Sequence, residues 1–199
     1  MSLFLGKIHY WLFNKILWLE NIELNIIELC KKEGFNLEEE KERIEKLYGK
    51  RVENKNLEDI IDLKNIHGWL ANKIEVSEGR VHEWIEFFIK NDKNGIEKLE
   101  NLYKELGSAD GEKNKSLENS MEIYEGINNY ILDGMPCDRI NEIIYSEKDK
   151  IIWKRKYIPS TIDFKLRKFW IEGFIKKANP NYMYLEKENG EYIIEKRGL

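Results

Sequence analysis

The sequence predicts a mainly α protein: a helical bundle containing two duplicated helical hairpins, extended by further C-terminal helices and a small C-terminal β-hairpin. Three observations carry this expectation. Apolar residues recur at three- and four-residue steps over most of the chain, the spacing of an amphipathic helix. A segment also recurs, since Ile8, His9, Trp11, Leu12, Asn14, Lys15 and Ile16 reappear fifty-eight positions later as Ile66, His67, Trp69, Leu70, Asn72, Lys73 and Ile74. The last twenty residues then switch to alternation around Asn189-Gly190, a pair that tolerates the positive φ angles of a tight hairpin turn.

The elements follow in order. A first helix runs from about Leu3 to Lys32, with Gly34 as its C-terminal cap. Asn36 offers a capping side chain to a second helix that begins with three glutamates, where the helix dipole favours negative charge, and ends at about Gly49. Asn56 caps a further segment that is either its own turn or the start of the helix carrying His67 and His82. A fourth helix spans about Gly95–Leu106 and stops at Gly107. The polar stretch from Ser108 to Lys115 then reads as a loop.

Ser116 opens a fifth helix with Leu117, Met121, Tyr124, Ile127 or Asn128, and Ile131 on one stripe, ending at Asp133-Gly134. Pro136 suits the first position of another helix over Met135–Tyr145, because proline lacks the amide hydrogen that this position leaves unpaired. Lys150–Ile158 reads as extended, Thr161–Lys177 as a helix, and 181–197 as the hairpin. The hairpin repeat occupies 1–107 and the additional helices 116–177. All three parts are expected to form one domain over 1–199.

Composition sets the outer bounds. Apolar residues at 42% supply a core, and charged residues at 35% supply a solvated surface. Richness in Ile, Lys, Glu and Asn with only three alanines resembles the product of an AT-rich bacterial genome. Two cysteines are too few for a disulfide scaffold and point to a reducing cytoplasm. Lys7, His9, Asn14, Lys15 and Glu20 interrupt the apolar N-terminal segment, so no membrane span is expected. The net charge of −4 divides into −9 over residues 1–138 and +5 over 139–199. Lys150–Tyr157 mixes cations with aromatics as single-stranded nucleic-acid surfaces do, but an acidic protein repels phosphate, which argues against nucleic acid.

The chemistry-bearing candidates lie on the repeat. All three histidines stand two residues before a tryptophan: His9 with Trp11, His67 with Trp69, His82 with Trp84. Glu20 lies eleven positions after His9, which returns it to within about twenty degrees of the same helix direction. Glu78 stands in the same relation to His67, and His82 follows it by four residues. These stripes are otherwise apolar, so the ionisable groups are expected to meet in the interior, where each needs a partner.

His9, His67, His82, Glu20, Glu78 and Trp69 therefore form a candidate ligand site. Glu20, Glu78 and His82 form a carboxylate-imidazole set suited to iron, manganese or zinc. The Glu-x-x-His pair of di-iron carboxylate bundles is absent. Cys137, in the first turn of a helix begun by Pro136, is a candidate reactive thiol.

The functional expectation is a bacterial helical protein that binds a small molecule or metal at a buried His/Glu site, with no reaction assigned. The alternative is a non-catalytic interaction or scaffold protein in which the His/Glu pairs are structural and the basic tail or the hairpin edge meets a partner. A homo-oligomer stays open under either.

Overall fold

In a computed structural model, residues 4–53 and 55–198 are described. The protein is mostly helical, with seven α-helices and one antiparallel sheet among those residues. It divides into two compact units, Met1–Gly95 with Tyr130–Met135, and Ile96–Asn129 with Pro136–Leu199.

The first unit is built on two helices of equal length, α1 (Lys7–Lys32) and α4 (Ile66–Asn91). They lie side by side in parallel. His9 meets His67, Phe13 meets Trp69 and Glu23 meets Arg80, so the partners advance together along both helices. Leu12, Ile16, Ile22 and Ile26 of α1, with Leu70, Val81, Ile85 and Phe88 of α4, supply the buried hydrocarbon.

The ends match the residues available. Gly34 takes a φ of 79° just past α1, as a C-terminal cap requires. Asn36 accepts from the Glu38 amide at 3.3 Å as α2 (Glu38–Tyr48) begins. Gly49, at φ 73°, follows its end. A single turn, α3 (Leu57–Ile60), precedes α4, whose cap is Asn65 accepting from Gly68 N at 3.2 Å.

The second unit contains α5 (Gly95–Glu112), α6 (Ser120–Asn128), α7 (Ile162–Ala178) and the sheet. Strands β1 (Asn141–Glu147), β2 (Lys150–Arg155), β3 (Tyr182–Glu186) and β4 (Glu191–Lys196) stand in the order β1-β2-β4-β3, all antiparallel. Trp153 pairs in register with Tyr192 and stacks on it at 5.7 Å, with Tyr184 at 6.1 Å and Tyr124 of α6 at 5.0 Å. The expected C-terminal hairpin is present, and it pairs with a second one.

The first helix starts at Lys7, the expected start at Leu3 lying outside the described residues, and three further boundaries differ from those the sequence predicts, each for a local reason. The stretch after Gly107 continues as helix to Glu112 rather than opening a loop. Gly107 and Gly111 lie where the backbone of α7 comes close: a Cβ on them would stand 2.0 Å from the Trp170 carbonyl oxygen and 2.2 Å from that of Phe174. They permit contact and do not end the helix. The helix expected from Ser116 begins at Ser120, capped by Asn119, and ends at Asn128.

The helix expected over Met135–Tyr145 is a three-residue 3₁₀ turn, Pro136–Asp138, followed by β1. Arg139 has a φ of 47°, which no right-handed helix admits. Ile143 and Tyr145 then pair across from Trp153 and Ile152, with a bulge between them.

Candidate functional site

The histidines divide. His9 is buried at the start of α1, and its Nδ1 accepts the Gly6 amide hydrogen at 2.9 Å, the return half of a capping box. Its Nε2 lies 3.5 Å from Nε2 of His67, which is exposed. The structure thus brings His9 and His67 level, but at the solvent margin of the helix pair. His82 and Glu78 are half-buried. Trp69 is half-buried as well, 6.2 Å from Phe13 and beneath the Lys73 ammonium.

Glu20 is in the interior as its stripe implies, 5% exposed, but its partners are not Glu78 and His82. Both of its oxygens accept the Val52 amide hydrogen, at 3.0 and 3.1 Å. Oε1 also accepts from Arg80 Nη2, and from the Ser77 hydroxyl at 3.4 Å. The expected metal set of Glu20, Glu78 and His82 is therefore not assembled, because an arginine occupies the place of a cation beside the carboxylate. Among the described residues no group of three or more His, Cys, Asp or Glu is arranged to hold a metal ion.

Arg80 is the centre of the buried polar seam. It is 1% exposed, yet it stands on the core stripe of α4 between Ser77 and Trp84. Its Nε donates to Glu23 Oε2 at 2.9 Å, and Glu23 Oε1 lies 3.6 Å from the Arg51 guanidinium. Nη1 of Arg80 has no hydrogen-bond partner among the described residues. Glu23, 2% exposed, is held above the ordinary carboxylate range because loss of water outweighs the attraction of Arg80 and Arg51, and the nearby Glu20 adds to the rise.

Beside the seam is a cavity of about 280 Å³. Glu23 and Ile27 of α1, Lys41, Ile44 and Glu45 of α2, and Arg80 and Trp84 of α4 contribute to its wall. The segment Lys50–Val52, between α2 and α3, completes it. None of the six expected site residues, His9, Glu20, His67, Trp69, Glu78 and His82, lines it.

Sequence reasoning missed Glu23, Ser77, Arg80 and Arg51. A signal for two of them was present: Glu23 interrupts the stripe Ile16, Leu19, Ile26, Cys30, and Arg80 interrupts Leu70, Ser77, Trp84, Phe88. Opposite charges on two core stripes are a buried ion pair waiting for a register.

The cysteines separate clearly. Burial pushes the Cys30 thiol up to about 12, so it stays protonated and inert. Cys137 is exposed in the 3₁₀ turn, with Asp138 Oδ1 3.8 Å from its sulfur. The α-helix whose dipole was expected to activate it does not form.

The fold and the seam define a mostly helical protein with a cavity whose wall includes the buried ion pair of Glu23 and Arg80. No protein-family model, curated protein or solved structure matches the chain. Among the described residues no helix is long and apolar enough to cross a membrane.

Proposed function

We propose that this protein binds a small molecule, and that its site is the cavity beside Arg80 rather than the histidine pair. One observation carries the reading: a fully buried arginine, paired with two buried glutamates, forms part of a cavity wall. A buried ion network contributes little net stability, because removing the charges from water costs about as much as their attraction returns. Charged groups converging on a cleft that also presents Ile27, Ile44, Val52 and Trp84 give a bound molecule both an orientation and an apolar contact. His9, His67, His82, Glu78 and Trp69 then serve the register of the helices.

The repeat enters the same reading. α1 and α4 each have 26 residues, and His9 meets His67 at the offset at which the sequence recurs. Two copies of one ancestral helix, laid side by side, account for both facts and leave their shared core stripe facing itself. Charges acquired on that stripe became the seam.

The test is a thermal-shift screen of a metabolite library against the wild-type chain and Ile27→Trp, which fills the cavity from its half-buried wall. The reading expects compounds that raise the wild-type Tm and leave the variant unmoved. Hits that stabilise both equally, or no hits, would overturn it.

A second reading has its own observation. The edge strand β1 exposes Ile143, Ile144 and Tyr145, an unpaired apolar edge of the kind that accepts another strand. Light scattering across a concentration series tests this: a dimer abolished by Ile144→Lys supports an interaction role, and a monomer at every concentration removes it.

A further inference from the structure

The donors and acceptors around the cavity do not balance. A guanidinium carries five N–H donors in a planar fork and accepts nothing. Arg80 directs Nε to Glu23 and Nη2 to Glu20 and Ser77, while Nη1 is buried without an acceptor. Such a group is costly to leave unmade.

The carboxylates nearby are already occupied. Glu20 takes the Val52 amide, Arg80 and Ser77, and Glu23 lies between Arg80 and Arg51. Lys41 and Lys50 bring two exposed ammonium groups to the lining, against the single further carboxylate of Glu45. The lining therefore carries four cationic side chains, Lys41, Lys50, Arg51 and Arg80, against the carboxylates of Glu23 and Glu45, and asks an occupant for negative charge.

The rest of the wall asks for carbon. Ile27, Ile44 and Trp84 line the same space. Its 280 Å³ corresponds to roughly nine water molecules at about 30 Å³ each, room for an organic ion of about ten heavy atoms.

We propose that the cavity is an oxyanion site, taking a carboxylate or phosphate on a compact apolar body, with the anionic oxygens met by the cationic wall of Lys41, Lys50, Arg51 and Arg80. The inference rests on the ligand-binding reading above and adds the class of ligand.

Calorimetric titration of the full chain at one fixed ionic strength tests it, with benzoate, phenyl phosphate and, as the charge-reversed control, benzylamine. The expected result is one-to-one binding of at least one oxyanion, no binding of benzylamine, and affinity at least about tenfold lower in Lys41→Glu/Lys50→Glu. Those two side chains are exposed, so the variant keeps its fold, which circular dichroism checks. Whether benzoate or phenyl phosphate binds more tightly separates carboxylate from phosphate.

Binding of benzylamine in place of the anions would overturn the oxyanion assignment and leave the ligand-binding reading standing. So would silence from all three probes alongside hits in the metabolite screen. Silence in both would remove the two together. An anion bound equally by wild type and the lysine variant would be adventitious, and would also overturn the assignment.

Discussion

The two compact units bury different things. At the centre of the first, α1 and α4 enclose Glu20, Glu23, Ser77 and Arg80 among isoleucines and leucines, and Lys15 is 2% exposed with its ammonium 4.0 Å over Trp11. In the second, α5 and α7 meet through glycines and the sheet closes over stacked Trp153, Tyr184 and Tyr192. Packing accounts for most of the second unit's interior, in which the buried Asp110 accepts from Trp170 Nε1 at 3.3 Å. It does not account for the first, since hydrocarbon of similar volume in place of a buried ion network usually leaves a fold as stable or more so. On the reading proposed above, the first unit keeps such charges on its central helix pair for binding.

The contrast breaks most visibly at Arg80. Arg80→Met leaves two buried carboxylates without their cation and is expected to lose about 3–5 kcal/mol in urea unfolding. In the other unit the equivalent weak point is steric. A Cβ at Gly173 would lie 2.2 Å from the Lys104 carbonyl oxygen, a main-chain atom that cannot swing aside, so Gly173→Ala should cost about 3 kcal/mol by overpacking.

Titration sharpens the comparison further. The folded pKa of Glu23 is raised above its unfolded value by burial, against the pull of Arg80 and Arg51 and with the push of Glu20. Its contribution to stability is therefore fully present below the ordinary carboxylate range and is lost as pH rises through the raised value. The stability difference between wild type and Glu23→Gln should fall across that interval, measured as urea midpoints at a series of pH values. A difference that grew with pH would mean that pairing with Arg80 outweighs burial. The smallest effect is expected at the surface. Arg43 reaches Glu40 at 2.6 Å and Glu83 at 2.5 Å with much of its side chain in water, and Arg43→Ala should cost under about 1 kcal/mol and less in high salt.

Local chemistry was legible from the sequence where one signal dominated. The 3.6-residue period gave α1, α4 and α7, Gly34 and Gly49 ended their helices, and Asn189-Gly190 marked the hairpin of β3 and β4. It misled where one residue type has two uses. Gly107 reads as a stop until the backbone of α7 is seen against it, and Pro136 reads as a helix start until Arg139 turns the chain. A second hairpin signal was overlooked: Ile143-Ile144-Tyr145 and Ile151-Ile152-Trp153 flank Lys148-Asp149 almost symmetrically.

The site was legible only in part. Glu20 is buried as its apolar stripe implies but does not line the cavity, and the sequence leaves open whether His9 faces His67 or Glu78. Yet the partner of Glu20 depends on the register between two helices, which period alone does not set. Arg80 is legible as that partner only once the register of α1 against α4 is known.

The central claim is that the buried ion cluster serves binding and not folding. The triple variant Glu20→Gln/Glu23→Leu/Arg80→Met tests it most directly, because it removes the charges together and keeps an acceptor for the Val52 amide. The account predicts a urea midpoint at or above that of the wild type, with oxyanion binding abolished. A triple variant as unstable as Arg80→Met alone, or one that still bound the anion, would contradict it.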